Sequence, residues 1–345
     1  MSPARRPNAE PNNLSGATIA QLAELAGVSV ATVSKVVNGH PDVAPDTRAS
    51  VEDVIREHGY RRKRRATRAN LVEIVLHAIR GDYATEVIGG VAGVANANGL
   101  AVVVSELHGR HTPGRDWIEG VLARRPAGVV AVFSGPTPTQ QDRLRSRGIP
   151  IVLMDPTDEP THQALAVGTN NWNGGLSATR HLLELGHRRI ATITGPSRML
   201  SARARLDGYR AALDNAGVPV DPELIREGDF HIAEGRRHAA DLLRLPQPPT
   251  AIVACNDGTA LGVYQAAHEA GLRVPHDLSV VGFDDLPSSQ DMIPPLTTVR
   301  QPLRDMAAAA TDMIVSLARD EQPRQNRLML ATGLVVRDST APPRR

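Results

Sequence analysis

A chain of 345 residues is too long for one small domain, and 39 Lys+Arg against 37 Asp+Glu leave no net charge from which nucleic-acid binding could be argued. A single cysteine, Cys255, excludes an intramolecular disulfide and fits a reducing cytoplasm. No apolar run is long enough to span a membrane; residues 1–17 are polar, contain no apolar signal core, and are expected to form a disordered tail of a cytoplasmic protein.

The first predicted helix follows Thr18, whose side-chain oxygen suits an N-cap. Ile19, Leu22, Ala23 and Ala26 recur at helical spacing, and Gly27 permits a sharp turn. Ser29 caps a second helix with Val33, Val36 and Val37 inward and Ala31, Ser34 and Lys35 outward. A third starts near Pro45 and Asp46, with Val51, Val54, Ile55 and His58 on its inner face and Gly59 as its stop. Two helices joined by a tight glycine turn, the second short and polar-faced, form a helix-turn-helix pattern; by spacing alone a small trihelical bundle without a DNA role is equally open.

The wording of this stretch, TIAQLAELAGVSVATVSKVVNGHPDVAPDTRASVEDVIREHGY, above all AGVSVATVSKVVNG, closely resembles the DNA-binding headpiece of the LacI family. The resemblance implies that Val30, Ala31 and Lys35 touch base edges and that Thr18, Ser29, Thr32, Ser34, Asn38 and Thr47 meet phosphates. The chemistry suits those roles: lysine donates to guanine O6 or N7, and small apolar groups meet a thymine methyl. Hydroxyls and an amide position the domain without reading sequence, although Ser29 has a purely capping role as its alternative.

Residues 61–70 are expected to be a hinge or linker after the 18–60 domain. Here the family pattern fails: in place of a Pro-Asn pair and a short hinge helix stands the run Arg61, Arg62, Lys63, Arg64 and Arg65. One reading is a phosphate grip with a steep salt dependence; the other is a solvated tether. Leu71 is either a displaced groove wedge or, the favoured reading, the first core residue of the next unit.

From Leu71 the rhythm alternates. Apolar runs Val72–Ile79, Ala101–Ser105, Gly128–Phe133, Ile151–Asp155, Ile190–Thr194, Ala251–Cys255 and Ser279–Phe283 are predicted strands. Thr85–Ala97, Gly174–Leu185, Ala202–Ala216, Ala233–Leu243 and Thr259–Ala270 are predicted helices. Such alternation means parallel sheets with helices on both faces, so 71–338 is expected to form two doubly wound α/β lobes and 339–345 a tail. The lobes are expected to part near Met154–Gly168, with Asp284–Pro295 and the following strand crossing back.

In open parallel sheets ligands sit beyond the carboxyl ends of the strands. The segments LGHRRIATITGP, SARARLDGYRAAL, PTAIVACNDGTALG, LSVVGFDDLP and PPLTTVRQP resemble the LacI family's effector domain, itself similar to periplasmic sugar-binding proteins. That resemblance implies that Arg205, Asn256 and Asp284 hold effector hydroxyls, that Asp155 lies in the first-lobe pocket, and that Phe230 packs on the ligand; Asp82, Tyr83 and Ser134 are further first-lobe candidates. Carboxylates and amides take hydroxyl protons and an arginine fork donates, which suits a sugar. Arg203 is expected to pair with a carboxylate, Asp285 to cap a loop, and His187 to be a satisfied surface or turn residue.

An enzyme is the rival class. Asp284 and Asp285 are neighbours on an extended strand and point to opposite faces, His108 and His111 lack a third metal ligand, and Cys255 ends a buried run. No phosphate-binding glycine motif or nucleophile elbow is present. No catalytic residue, metal or cofactor is expected. The missing signal and the headpiece oppose the third reading, a transported-solute receptor. The expected partners are a pseudo-palindromic operator read by a homodimer and a small carbohydrate effector. The dimer contact is expected on exposed faces of Thr85–Ala97 and Thr259–Ala270.

Overall fold

The computed structural model describes residues 18–37, 42–58 and 69–344. The chain divides into two compact units, Met1–Thr67 and Arg68–Arg345.

In the first unit α1 (Ile19–Leu25), α2 (Val30–Val37) and α3 (Pro45–Glu57) surround a small core of Leu22, Ala23, Val33, Val36 and Val51. Thr18 and Gln21 form a reciprocal capping box: Gln21 N–H donates to Thr18 Oγ1 at 3.4 Å, and Thr18 N–H to Gln21 Oε1 at 2.9 Å. Thr32 N–H donates to Ser29 Oγ at 3.1 Å and starts α2. Between them Gly27 adopts φ +64°, and the chain turns through 108° from α1 to α2. His58, expected inside, is exposed, because α3 ends at Glu57 and the residue after the last turn leaves the inner face. Asn38 and the basic run 61–65 lie outside the described residues.

The second unit holds two six-stranded sheets. The first contains β1 (Leu71–Leu76), β2 (Ala101–Glu106), β3 (Gly128–Val132), β4 (Ile151–Met154), β5 (Leu165–Thr169) and β11 (Arg327–Leu330), in the order β11-β5-β4-β3-β1-β2. It is wholly parallel. The second contains β6 (Ile190–Thr194), β7 (Ile225–Glu227), β8 (Ala251–Ala254), β9 (Ser279–Asp284), β10 (Thr297–Arg300) and β12 (Gly333–Val335), in the order β12-β10-β9-β8-β6-β7, parallel except for β12. Strands buried on both faces read as near-continuous Val, Ile and Ala runs, which is why they were visible as apolar blocks.

Helices α4 (Gly81–Ala97) and α12 (Leu303–Ala318) cover one face of the first sheet, burying Val87, Val91, Met306 and Ile314 against Ile74 and Val130. Helices α5 (Arg115–Arg124) and α6 (Pro138–Ser146) cover the other with Ile118, Val121 and Leu144. On the second sheet α7 (Asn171–Glu184) and α8 (Leu200–Asn215) pack on one face, and α9 (Ile232–Leu243) and α10 (Asp257–Glu269) on the other. A short helix, α11 (Pro287–Asp291), precedes β10.

The lobes exchange chain three times. The first crossing lies at Asn170, at the end of the expected Met154–Gly168 region, because Leu165–Val167 still pairs with β4. Asp284–Pro295 and β10 stay in the second lobe; the return runs through Gln301 and Pro302 into α12. The third crossing joins β11 to β12. Nor is 339–344 a free tail: Ser339 is fully buried, its Oγ donating to Val280 O at 2.6 Å and accepting from Thr297 N–H at 2.7 Å. His187, expected as a satisfied surface or turn residue, is satisfied just after the 185–186 turn, but buried: it lies between Thr250 Oγ1 (2.8 Å) and Ala341 O (2.9 Å) and clamps that same terminal segment.

Candidate functional site

The headpiece turns a polar surface outward. Val30 is 52% exposed at the start of α2, and Thr18, Ser29, Ala31 and Lys35 are exposed, with Thr32, Ser34 and Thr47 half-buried. Lys35 Nζ reaches Asp42 Oδ2 at 2.6 Å, and Ser29 and Thr32 share a hydroxyl contact at 2.8 Å. The side chains that resemblance assigns to base edges are thus available on one short helix. Thr18 and Ser29 already serve as caps, and a phosphate would meet the same helix ends.

In the second unit the carboxyl ends of the strands converge on a cleft between the lobes. Four residues there adopt positive φ: Phe133 (46°), Asp155 (47°), Phe230 (71°) and Asp284 (112°). Bulky residues are seldom held in this region, and strained backbone of this kind clusters at ligand sites.

Arg205 of α8 is the hub. Its Nε donates to Asn171 Oδ1 at 2.8 Å, Nη1 to Cys255 O, and Nη2 to Gln301 Oε1 at 3.5 Å, while Asp284 Oδ1 lies 3.8 Å from Nη2. The guanidinium lies over the Phe283 ring, 3.6 Å from its centroid. Backbone packing places it: Gly175 of α7 lies so close to α8 that a Cβ would stand 2.1 Å from Arg205 O. Gln301, in the second crossing, also donates to Asp284 Oδ1 at 3.0 Å.

From the first lobe Tyr83 donates its hydroxyl to Asp155 Oδ2 at 3.2 Å. Burial pushes the Asp155 carboxyl up to about 6, against the opposing pull of Arg205 and the Tyr83 hydrogen bond. Burial likewise raises Asp284, again opposed by Arg205 and reinforced by the Asp257 and Asp155 charges. The Arg205 charge therefore acts on a carboxylate of each lobe, with Asp284 as its ion-pair partner. Ser134 is fully buried and its Oγ has no hydrogen-bond partner. Buried polar atoms are almost always satisfied, so this hydroxyl, next in sequence to Phe133, is open to a hydrogen bond from ligand or water.

An aromatic wall spans both lobes: Tyr83 and Phe133 rings lie 5.3 Å apart and Phe133 and Phe230 rings 6.3 Å. Gly195 seats Phe230, since a Cβ there would lie 2.2 Å from the ring. Phe133, Phe283, Asn171 and Gln301 were not among the predicted site residues. A signal existed for two of them: the chain has only three phenylalanines, and all three stand at this cleft.

Two predicted residues do other work. Asn256 caps α10 through Thr259 N–H (2.8 Å) and donates to Phe230 O at 3.1 Å, so it orients the aromatic wall. Asp82 reaches across the lobes to accept from Ser288 N–H at 2.9 Å, a tie between lobes apart from the Arg205 cluster. Asp285 is no loop cap: it pairs with Arg300 at 2.7 Å and Arg337 at 2.6 Å. Arg203 is exposed, with no ion pair among the described residues. Burial raises the Cys255 thiol to about 11, as for an inert packing residue.

Residues 18–63 match the model for bacterial regulatory proteins of the lacI family, and residues 179–340 a periplasmic binding protein-like domain. The chain is 33% identical over 331 residues to the ribose operon repressor of Escherichia coli, covering 94% of this chain and 99% of that one. Among solved structures it resembles the transcriptional regulator CelR–cellobiose complex (32% identity, TM-score 0.72, 94% and 99% of the two chains). It also resembles the Lac repressor dimer bound to operator and the anti-inducer ONPF (29%, TM-score 0.69, 95% and 100%). The chain belongs to the LacI family of bacterial regulatory proteins, as a ligand-controlled DNA-binding transcriptional regulator.

Proposed function

We propose that the chain acts in the cytoplasm as a homodimeric repressor that reads a pseudo-palindromic operator and that a small carbohydrate, held between its lobes, sets its operator affinity. The observation that carries this reading is the Arg205 cluster: the buried guanidinium lies 3.8 Å from Asp284 in one lobe, its charge opposes the effect of burial on Asp155 in the other, and aromatic rings of both lobes meet, Phe133 lying 6.3 Å from Phe230. A ligand bound there contacts both lobes and so changes the angle between them. Tyr83, Ser134, Asp155, Arg205 and Asp284 supply polar contacts, Phe230 and Phe133 the apolar face, and Asn256 holds Phe230 in place. A carbohydrate offers many hydroxyls and a C–H face, which this donor and acceptor set matches.

At the other end Val30, Ala31 and Lys35 read bases, and Thr18, Ser29, Thr32, Ser34, Asn38 and Thr47 hold phosphates. The run Arg61–Arg65 adds sequence-independent phosphate contacts that bend DNA little. The relatives named above are regulators, so no catalytic role is assigned. Fluorescence anisotropy with genomic fragments, with and without a sugar library, tests the whole reading. Selective binding to one fragment, altered by one sugar, is the expected result; turnover of a sugar without DNA binding would refute it.

A further inference from the structure

The three crossings place the hinge beside β5, β10, β11 and β12. In both sheets the strands furthest from it are β1 with β2 and β6 with β7, so the residues that follow those strands lie at the edge of the interlobe site away from the hinge, its mouth in this reading. On the first lobe His77 follows β1 and His111 lies in the loop after β2. Their rings stack at 4.0 Å with an interplanar angle of 3°. His77 Nδ1 lies 3.0 Å from Arg110 O and His111 Nδ1 2.9 Å from Phe133 O. A carbonyl only accepts, so each Nδ1 carries its hydrogen and each Nε2 remains; no hydrogen bond among the described residues reaches either Nε2.

On the second lobe Arg198 follows β6 and His231 follows β7, next to Phe230. Both are exposed, and Arg198 has no ion pair among the described residues. Nearby carboxylates have partners of their own: Glu227 accepts from Ser197 N–H (2.8 Å), Asp229 from His231 N–H (3.0 Å) and Glu106 from Ile79 N–H (3.1 Å), with His108 Nδ1 3.5 Å from its other oxygen. Burial lowers the His77 pKa, and the charged neighbours that act on it, His111, His231 and Arg198, are all bases that lower it further. The floor of the cleft is built differently, with the desolvated acids Asp155 and Asp284 around Arg205.

We propose that this rim is an anion subsite, formed by His77 and His111 of one lobe and Arg198 and His231 of the other, and that the effector is a sugar bearing a phosphate or carboxylate. The sugar's hydroxyls lie on the floor and its anionic group at the mouth. The inference rests on the reading of the cleft as a carbohydrate site. An anion at the mouth accepts from Arg198 and favours proton uptake at an imidazole Nε2, whose N–H then donates to it, and it bridges the two lobes at the edge where closure moves them most.

The test uses the full chain, thermal shift and calorimetry, and matched probes: ribose with ribose 5-phosphate, glucose with glucose 6-phosphate and with glucuronate, and sodium phosphate alone. In at least one set the anionic member binds at least about tenfold more tightly than its neutral partner, the worth of one hydrogen bond to a charged group. Arg198→Ala and His111→Gln each remove most of that ratio, and raising the salt shrinks it. Arg198 is an exposed loop residue, so its variant keeps the test valid if the histidine variant folds poorly. Neutral members that bind as well as the anionic ones overturn the subsite and leave the carbohydrate reading standing. Phosphate alone binding with no preference among the sugars also overturns it, as a nonspecific ion site. If no probe of either kind binds, the carbohydrate reading fails and the subsite with it.

Discussion

Replacing Arg205 by alanine separates sensing from DNA binding. The guanidinium has five N–H donors. Three are directed to Asn171, Cys255 O and Gln301, which leaves two (5 − 3 = 2) for a ligand. A hydrogen bond from a charged donor is worth about 1.5–3 kcal/mol, so losing two weakens an effector by roughly 100-fold or more. The substitution also strands Asp284, 5% exposed, without its cation. Breaking a buried pair in this way costs about 3–5 kcal/mol, less than the 5–15 kcal/mol typical of a folded protein. The variant therefore folds, with a Tm lower by an amount on the order of 10 °C. The headpiece has its own core of Leu22, Val33 and Val51, so operator affinity in the absence of effector is unchanged. Arg205→Lys keeps the charge without the planar fork and restores Tm more than it restores sensing. The assay is operator anisotropy against effector concentration, with Tm measured in parallel. An Arg205→Ala protein that responds at the wild-type effector concentration would refute the assignment of the cleft.

Other perturbations follow from the same geometry. With its carboxyl raised to about 6, Asp155 is the stronger, charged acceptor of effector hydroxyls only above that pH, so effector affinity falls by up to about tenfold per unit below pH 6 and Asp155→Asn flattens the profile. The sign for stability is opposite: the folded pKa lies above the unfolded 3.8, so this group favours the native state at low pH and the benefit is lost as pH rises from about 4 through 6. Chemical denaturation of the wild type and Asp155→Asn across that window reads the term; a difference between the two that does not vary with pH would contradict it. Gly195→Ala forces a Cβ to within 2.2 Å of the Phe230 ring, an overpacking of about 1–3 kcal/mol that displaces the ring and weakens effector binding without touching operator affinity. Calorimetry showing unchanged effector binding would remove Phe230 from the site. Lys35→Ala reduces the preference for operator over random DNA by about 1–3 kcal/mol, measured as a ratio of Kd values.

Local chemistry explains what the sequence made legible. Caps at Thr18 and Ser29, the proline start of α3 and the buried apolar strands are governed by neighbours a few residues away, and each forms where its pattern stands. What escaped depends on distant partners. β11 is a four-residue strand defined by pairing with β5 across some 160 positions, and β12 by pairing with β10, so neither has a periodicity of its own. The first crossing was legible only as a region near Met154–Gly168, because Leu165–Thr169 follows a polar loop and only its pairing with β4 keeps it in the first lobe. Arg205, Asp155 and Asp284 were legible as strand-end or motif residues, whereas Gln301 and Asn171 act through side-chain contacts made by the crossings themselves. Helix α12 carries a full apolar stripe (Met306, Ala307, Ala310, Ile314) and was readable in principle. On Thr259–Ala270 the face open to a partner consists of Gln265, His268, Glu269 and Ala270, since α9 and the second sheet bury most of α10.

The central claim is a coupling between cleft and headpiece, and thermodynamic linkage makes it measurable in both directions. Operator Kd is measured without and with saturating effector, and effector Kd on free and operator-bound protein. The account predicts the same factor in the same direction for both, within the roughly 5–150-fold range usual for allosteric proteins. An effector that binds the cleft and leaves operator Kd unchanged would contradict it.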